Sequence, residues 1–221
     1  MDYNIISTGS VGNCTVLDGR IAVDMGIPHK LIRPYQRDLR LILLTHIHSD
    51  HFNTAAIRKL ARMRPLLRFG VPDYLVAAVS GCGVDSERID ILDAGKEYGY
   101  RGFAVIPFRL RHNVPNQGYK LHFDDGTRVI YATDTCSMEG IVAENYDLYF
   151  VEANYEEEEL RERIDRKKEA GEYAYEQEVR KNHLSQAACD AWLYSQMGNR
   201  SRYVYMHQHM EKGGGMVGTQ F

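Results

Sequence analysis

No apolar run in this 221-residue chain approaches the length needed to cross a bilayer, so no transmembrane helix is expected. The first residues, Met1-Asp2-Tyr3-Asn4, have neither a basic region nor a long apolar core, so no signal peptide is expected either. Cysteine is sparse and scattered. Cys14, Cys82, Cys136 and Cys189 form no pair with zinc-knuckle spacing, and free thiols in a reducing cytoplasm are the expectation. A surplus of positive charge is also missing. The net charge of −3 argues against a dedicated non-specific nucleic-acid coat, although bound dications can supply a positive field locally. What remains is the composition of a soluble globular protein, 44% hydrophobic and 26% charged. The length suits one domain with a substantial core. We assign residues 1–212 to that domain and 213–221, opened by Gly213-Gly214-Gly215, to a flexible glycine-rich tail.

The chain is organised around Thr45-His46-Ile47-His48-Ser49-Asp50-His51. Three imidazoles and a carboxylate fall within six residues, directly after an apolar run, Leu39 to Leu44, that reads as a buried strand. Asn53 reads as a helix N-cap, and Thr54 to Met63 as a short helix stopped by Pro65. Strand, loop and helix form a rigid device for aiming metal-binding groups at one point. Packing alone gives no reason to crowd these residues.

Other chemistry-bearing residues fall where strands end. Tyr3 to Ile6, Thr15 to Leu17 and Arg20 to Val23 read as strands, with a Gly/Ser loop from Ser7 to Cys14 and Asp24-Met25-Gly26 at the end of the third. Phe103 to Leu110 is a strand that leads to His112. Tyr119 to Phe123 and Arg128 to Tyr131 form a hairpin around Asp124-Asp125-Gly126, followed by Thr133-Asp134-Thr135. Leu148 to Asn154, ending in Glu152-Ala153-Asn154, reads as a buried strand. Glu156 to Lys168 is a charge-dense helix, acidic residues first, and reads as a solvated face. His183 precedes a helix from Gln186 to Met197, with Ser185 as a cap, and Arg202 to Met206 is a strand ending in His207-Gln208-His209. His29 and His122 read as surface residues.

These motifs resemble the metallo-β-lactamase superfamily, whose α/β fold is a four-layered αββα sandwich. His-x-His-x-Asp-His, here His46 to His51, is its signature. Ser7 to Cys14 resembles the Ser-Gly-Ser-x-Gly-Asn-Cys segment of the YycJ/WalJ group, small cytoplasmic members regarded as DNA exonucleases. Asp24 resembles the Asp that orients the histidine loop, and Thr133 to Thr135 the motif whose Asp bridges two metals. The chain departs from the group at Asn113 (usually Asp), Cys136 (usually Gly), Tyr155-Glu156 (usually His-Asp) and Asn182 (usually Gly).

The resemblance implies two divalent metals, zinc or manganese. His46, His48 and His112 would hold one; Asp50, His51 and His207 the other; Asp134 would bridge them. His207 is preferred to His209 because it directly follows the apolar strand. Two such metals lower the pKa of a bridging water to hydroxide and clamp the oxygens of an in-line displacement. Asp50 and His183 are the catalytic candidates. His183 corresponds to a histidine that, in phosphodiesterase members such as tRNase Z, sits over the scissile phosphate. Its competing reading is an ordinary helix-start residue. The implied activity is a cytoplasmic binuclear phosphodiesterase, most simply a DNA exonuclease, acting on DNA or a nucleotide phosphodiester without a membrane. A homodimer is left open. Two rivals stand beside it: a small-substrate phosphodiesterase such as a cyclic-nucleotide hydrolase, as in some phage members, and a non-catalytic metal-stabilised binding module.

Overall fold

The computed structural model describes residues 1–208; His209 and the glycine-rich stretch 213–221 lie outside the described residues. In chain order the elements are β1 (Tyr3–Ser7), β2 (Cys14–Leu17), β3 (Ile21–Val23), α1 (His29–Ile32), β4 (Leu41–Leu43), α2 (Thr54–Met63), β5 (Arg68–Val71), α3 (Val76–Gly81), β6 (Ile89–Ile91), β7 (Tyr98–Tyr100), β8 (Phe103–Leu110), β9 (Asn116–Phe123), β10 (Arg128–Ala132), β11 (Leu148–Glu152), α4 (Glu157–Glu169), α5 (Glu176–Asn182), α6 (Gln186–Gln196) and β12 (Arg202–Met206). No helix among the described residues is long and apolar enough to cross a membrane. Contacts divide the chain into two compact units. The first holds Met1–Tyr98 with Ile106–Phe108; the second holds Gly99–Val105 and the chain from Arg109 onward.

In the first unit six strands form one sheet in the order β1-β2-β3-β4-β5-β6. The pairs from β1 to β3 are antiparallel and those from β3 to β6 parallel. Parallel strands are covered on both faces, which is why β3 and β4 are apolar at every position and fully buried. Helix α2 buries Ala56, Ile57, Leu60 and Ala61, a helical stripe that joins Val16, Ile42 and Phe69 in one core. Its N-terminus is capped as expected, the Asn53 side chain accepting from the Ala56 amide at 3.0 Å. The opposite face of α2 is exposed.

The second sheet runs β12-β11-β10-β9-β8-β7. β9 and β10 are antiparallel, and β10, β11 and β12 are parallel. All five residues of β11 are buried. β8 alternates buried and half-buried residues as far as Phe108, then shifts by one, so that Arg109 is exposed and Leu110 buried. Two short helices were not legible in sequence. One-turn α1 is too short to show a period, and α5 is a charged seven-residue segment with no apolar stripe. Tyr155, one of the departures from the group's pattern, packs against Leu160, Ile164 and Ala174, a small cluster under α4.

Three strands end in the same unusual way. Asp24 follows β3, Asp134 follows β10 by two residues, and His207 follows β12, with φ of 61°, 56° and 54°. Left-handed backbone costs a side-chain-bearing residue on the order of 1–3 kcal/mol, and Asp, Asn and His tolerate it best. Strain of this kind collects where side chains must be aimed. All three residues carry donor atoms and all three are buried.

Candidate metal centre

In the first unit the histidine loop leaves β4 and is held from beneath by Asp24. Its Oδ1 accepts from the Thr45 amide and the Thr45 hydroxyl, both at 2.9 Å, and its Oδ2 faces His51 Nδ1 at 2.7 Å. A carboxylate only accepts, so His51 Nδ1 carries its proton and Nε2 keeps its lone pair. The Thr45 hydroxyl spends its proton on Asp24 and so accepts from His46 Nδ1 at 3.0 Å, which leaves His46 Nε2 a lone pair as well. Two of the three histidines are thereby set in the tautomer that binds metal through Nε2.

His46 Nε2 lies 3.1 Å from His48 Nδ1. Two nitrogens on one tetrahedral zinc, each about 2.0–2.1 Å from the ion, would sit roughly 3.3 Å apart. This pair of nitrogens therefore has the spacing of two ligands on one divalent ion.

A second loop locks this one in place. Buried Asn13 receives the Gly9 amide on Oδ1 at 2.8 Å, and its Nδ2 reaches Asp50 O at 3.2 Å and His51 Nε2 at 2.8 Å. Along the backbone, the Asn13 amide donates to Asp50 O at 2.6 Å, Gly26 to Asn13 O at 2.9 Å and Met25 to His51 O at 2.9 Å. Asn13 lay inside the matched Ser7–Cys14 segment but was not singled out as a site residue. Its neighbour Cys14 is a packing residue, since full burial pushes its thiol pKa up and keeps it protonated. Gly26 has no space for a side chain, because a Cβ there would lie 1.6 Å from Asp50 O. Gly26→Ala should therefore lower the unfolding midpoint and cut metal affinity together, which thermal denaturation with and without added zinc will measure. Unchanged melting and metal binding would contradict the stitched-loop description.

In the second unit four donor residues converge: Asp134, Glu152, His183 and His207 offer ligand atoms within 4.8 Å of one another. Asp134 Oδ1 is 3.6 Å from His207 Nε2 and 3.9 Å from His112 Nε2, so it stands between two imidazoles. The Asn182 carbonyl faces His112 Nδ1 at 3.1 Å and fixes that proton, freeing Nε2. The Asn116 side chain donates to the carbonyls of Thr133 and Asp134, at 3.0 and 2.7 Å, and holds the left-handed turn.

Glu152, at the end of β11, was missed by the sequence reading as a site residue. It is fully buried and accepts from the Thr135 amide at 2.6 Å, while Oε1 faces His183 Nδ1 at 2.6 Å and His207 Nδ1 at 3.2 Å. The carboxylate thus sets the His183 ring with Nδ1 protonated, while His207 Nδ1 also meets the Asn154 side-chain amide at 2.9 Å. Asn154 donates to the His207 carbonyl at 2.7 Å and secures the turn after β12. The only available signal was the stretch Glu152-Ala153-Asn154 at a strand end.

His183 is the C-terminal cap of α5, and Ser185 caps α6 by accepting from the Ala188 amide. The His183 ring is stacked on His207, with centroids 5.1 Å apart, and presents an edge to His112 at 5.3 Å. Its side chain keeps 18% exposure, against 2% for His112 and Asp134. His122, read as a surface residue, is half-buried and paired with the Tyr146 hydroxyl at 2.6 Å. Cys136 is a half-buried free thiol.

A sequence profile described as the β-lactamase superfamily domain matches residues 21–208. The chain belongs to the metallo-β-lactamase superfamily. Within that superfamily it is similar to the exodeoxyribonuclease WalJ of Streptococcus pneumoniae serotype 2 (strain D39 / NCTC 7466), 30% identical over 233 residues, which cover 95% of this chain and 81% of that protein. It is similar in structure to the metallo-β-lactamase fold protein YhfI of Bacillus subtilis, with a TM-score of 0.69 at 15% identity, over 93% of this chain and 85% of that one. Human tRNase Z, short form, matches with a TM-score of 0.66 at 17% identity, over 94% of this chain and 92% of that one. The two mixed sheets with flanking helices are the metallo-β-lactamase fold, and that fold implies divalent metal binding.

Proposed function

We propose that this chain is a binuclear metal-dependent phosphodiesterase acting on DNA as an exonuclease, in the cytoplasm. Superfamily membership supports assigning His46, His48 and His112 to one ion, Asp50, His51 and His207 to the other, and Asp134 to both. The 30% identity to WalJ, named an exodeoxyribonuclease, supports DNA as the substrate class. When bound, the ions supply an activated water and positive charge for the oxygens of the diester.

The observation that carries phosphodiester chemistry is the Glu152–His183 pair. Hydrolysis of a lactone or thioester on such a centre needs the ligands alone. Here an additional imidazole stands beside His112, Asp134 and His207, partly exposed, with its proton placed by a buried carboxylate. With Nδ1 protonated toward Glu152, Nε2 is the atom that meets substrate. As imidazolium it donates a proton to the leaving oxygen, while Glu152 stabilises the charge and fixes the ring. Asp24 and Asn13 do no chemistry. They hold the loop carrying His46, His48, Asp50 and His51 so that these donors need not reorganise during turnover.

The assay is the purified protein with Mn²⁺ or Zn²⁺ against end-labelled duplex DNA and a panel of cyclic nucleotides. Stepwise release of mononucleotides from an end, abolished by chelator and restored by metal, is the expected result. Turnover confined to cyclic nucleotides would overturn the DNA assignment. No turnover on any diester with metal bound would favour a non-catalytic module.

A further inference from the structure

Between Asp50 and Asp73 the chain carries five cations, Arg58, Lys59, Arg62, Arg64 and Arg68, and no acidic residue. That is unusual for a chain whose net charge is −3. Two of the five are used structurally. Arg64 donates to the Leu39 carbonyl at 3.1 Å, and Arg68 is clamped on Asp90. Of the other three, Arg58 and Lys59 are neighbours and each lies one helical turn before Arg62, on the side of α2 opposite the stripe that buries Ile57 and Leu60. All three are exposed, and with Ala55 and Met63 they line an open depression.

Cations on the other charged helices are mostly neutralised at home. Arg161 meets Asp165, Arg163 meets Glu159, Lys167 meets Glu176 and Lys181 meets Glu178. Among the described residues no ion pair engages Arg58, Lys59 or Arg62. A solvated helix face is ordinarily laced with both signs at i, i+4 spacing; this one carries a single sign, which destabilises the isolated helix slightly by like-charge repulsion. Helix α1, which packs against α2, carries an exposed Lys30 and is followed by an exposed Arg33.

The position of the stripe matters as much as its charge. α2 begins three residues after His51, so the helix is rooted in the histidine loop. Its ten residues extend about 15 Å away from that loop, roughly four phosphates of one DNA strand at 3.4 Å of axis each.

We infer that the Arg58–Lys59–Arg62 face of α2 is a phosphate track, which holds the backbone of a nucleic-acid substrate on its way to the histidine loop. The inference rests on the nucleic-acid reading of the function and deepens it. The contacts are to phosphates, so the track gives affinity without sequence preference. It also explains how an acidic chain engages DNA without a basic coat.

The test is the triple variant Arg58→Gln/Lys59→Gln/Arg62→Gln, a set of changes that keeps helix propensity. The metal-loaded protein is titrated against a fluorescein-labelled phosphorothioate oligonucleotide, which resists cleavage, from 50 to 200 mM salt. Hydrolysis of bis(p-nitrophenyl) phosphate is followed in parallel. Loss of three phosphate contacts should reduce the slope of log affinity against log salt by about 2 to 3 and weaken binding at least about tenfold at 100 mM salt. Hydrolysis of the small diester should stay within about twofold of the wild type. Arg58→Lys/Arg62→Lys should keep the salt slope.

An unchanged slope in the triple variant would overturn the track. So would a wild type that hydrolyses the small diester yet does not bind the oligonucleotide, an outcome that leaves the phosphodiesterase reading standing. A wild type inert on the small diester, with salt-sensitive oligonucleotide binding lost in the triple variant, would do the reverse. Binding to phosphatidylserine vesicles that needs these residues, while oligonucleotide binding does not, would assign the face to a membrane surface and refute the proposal.

Discussion

Asp134→Asn is expected to keep the fold and abolish turnover, by roughly a thousandfold or more, with metal content falling to one ion per chain or fewer. Asparagine is the informative replacement because φ at this position is 56°, a region Asn tolerates and Ala does not. The backbone turn should survive, since Asn116 holds it through the carbonyls of Thr133 and Asp134 and not through the carboxylate. What is lost is the negative charge standing between His112 and His207. A carboxylate can serve two cations at once; a neutral amide offers one weak oxygen. Elemental analysis and turnover on labelled DNA, measured on the same preparation, check both parts. A variant that keeps two ions and ordinary turnover would remove Asp134 from the centre.

The second large effect belongs to His183. If it acts on the leaving oxygen and not on the metals, His183→Ala should retain the wild-type metal content and near-normal substrate affinity. Turnover should fall by about a hundredfold to ten-thousandfold. The loss should shrink for a diester whose leaving group is nitrophenolate, which departs without protonation. Glu152→Gln should act in the same direction on turnover, because an amide can no longer fix Nδ1 as the protonated nitrogen. Its damage should be broader, since Glu152 also faces His207 and accepts from Thr135. Equal losses on both leaving groups would show that His183 serves position and not proton transfer. Unchanged rates on both would make it a helix-end residue.

Much of this was legible in the sequence, and the reasons are physical. The helix from Thr54 to Met63 follows from a capping Asn53, an apolar stripe at helical spacing and Pro65 beyond it, all local signals. β8 and β12 follow from apolar runs bounded by polar residues. The donors of the histidine loop were legible because they sit within six residues. Asp24, which orients them, was legible through the family resemblance, whereas Glu152 and Asn13 were not. Glu152 lies 31 positions from His183 and 55 from His207, and inside a run that reads as one buried strand nothing local marks it as a partner of either ring. Asn13 lies 38 positions from His51, inside a Gly/Ser loop that turn chemistry alone would explain. The left-handed backbone at Asp24, Asp134 and His207 leaves no mark on composition, since Asp and His appear at strand ends for many reasons. Short α1 and charged α5 show no period. Sequence pattern thus exposes residues that act through local spacing and hides those that act across the sheet.

The most direct test of a binuclear centre is the metal content of the wild-type chain, purified without chelator and with zinc or manganese supplied. The ligand set from His46 to His207 predicts close to two ions per chain. One ion per chain, or none, would contradict it.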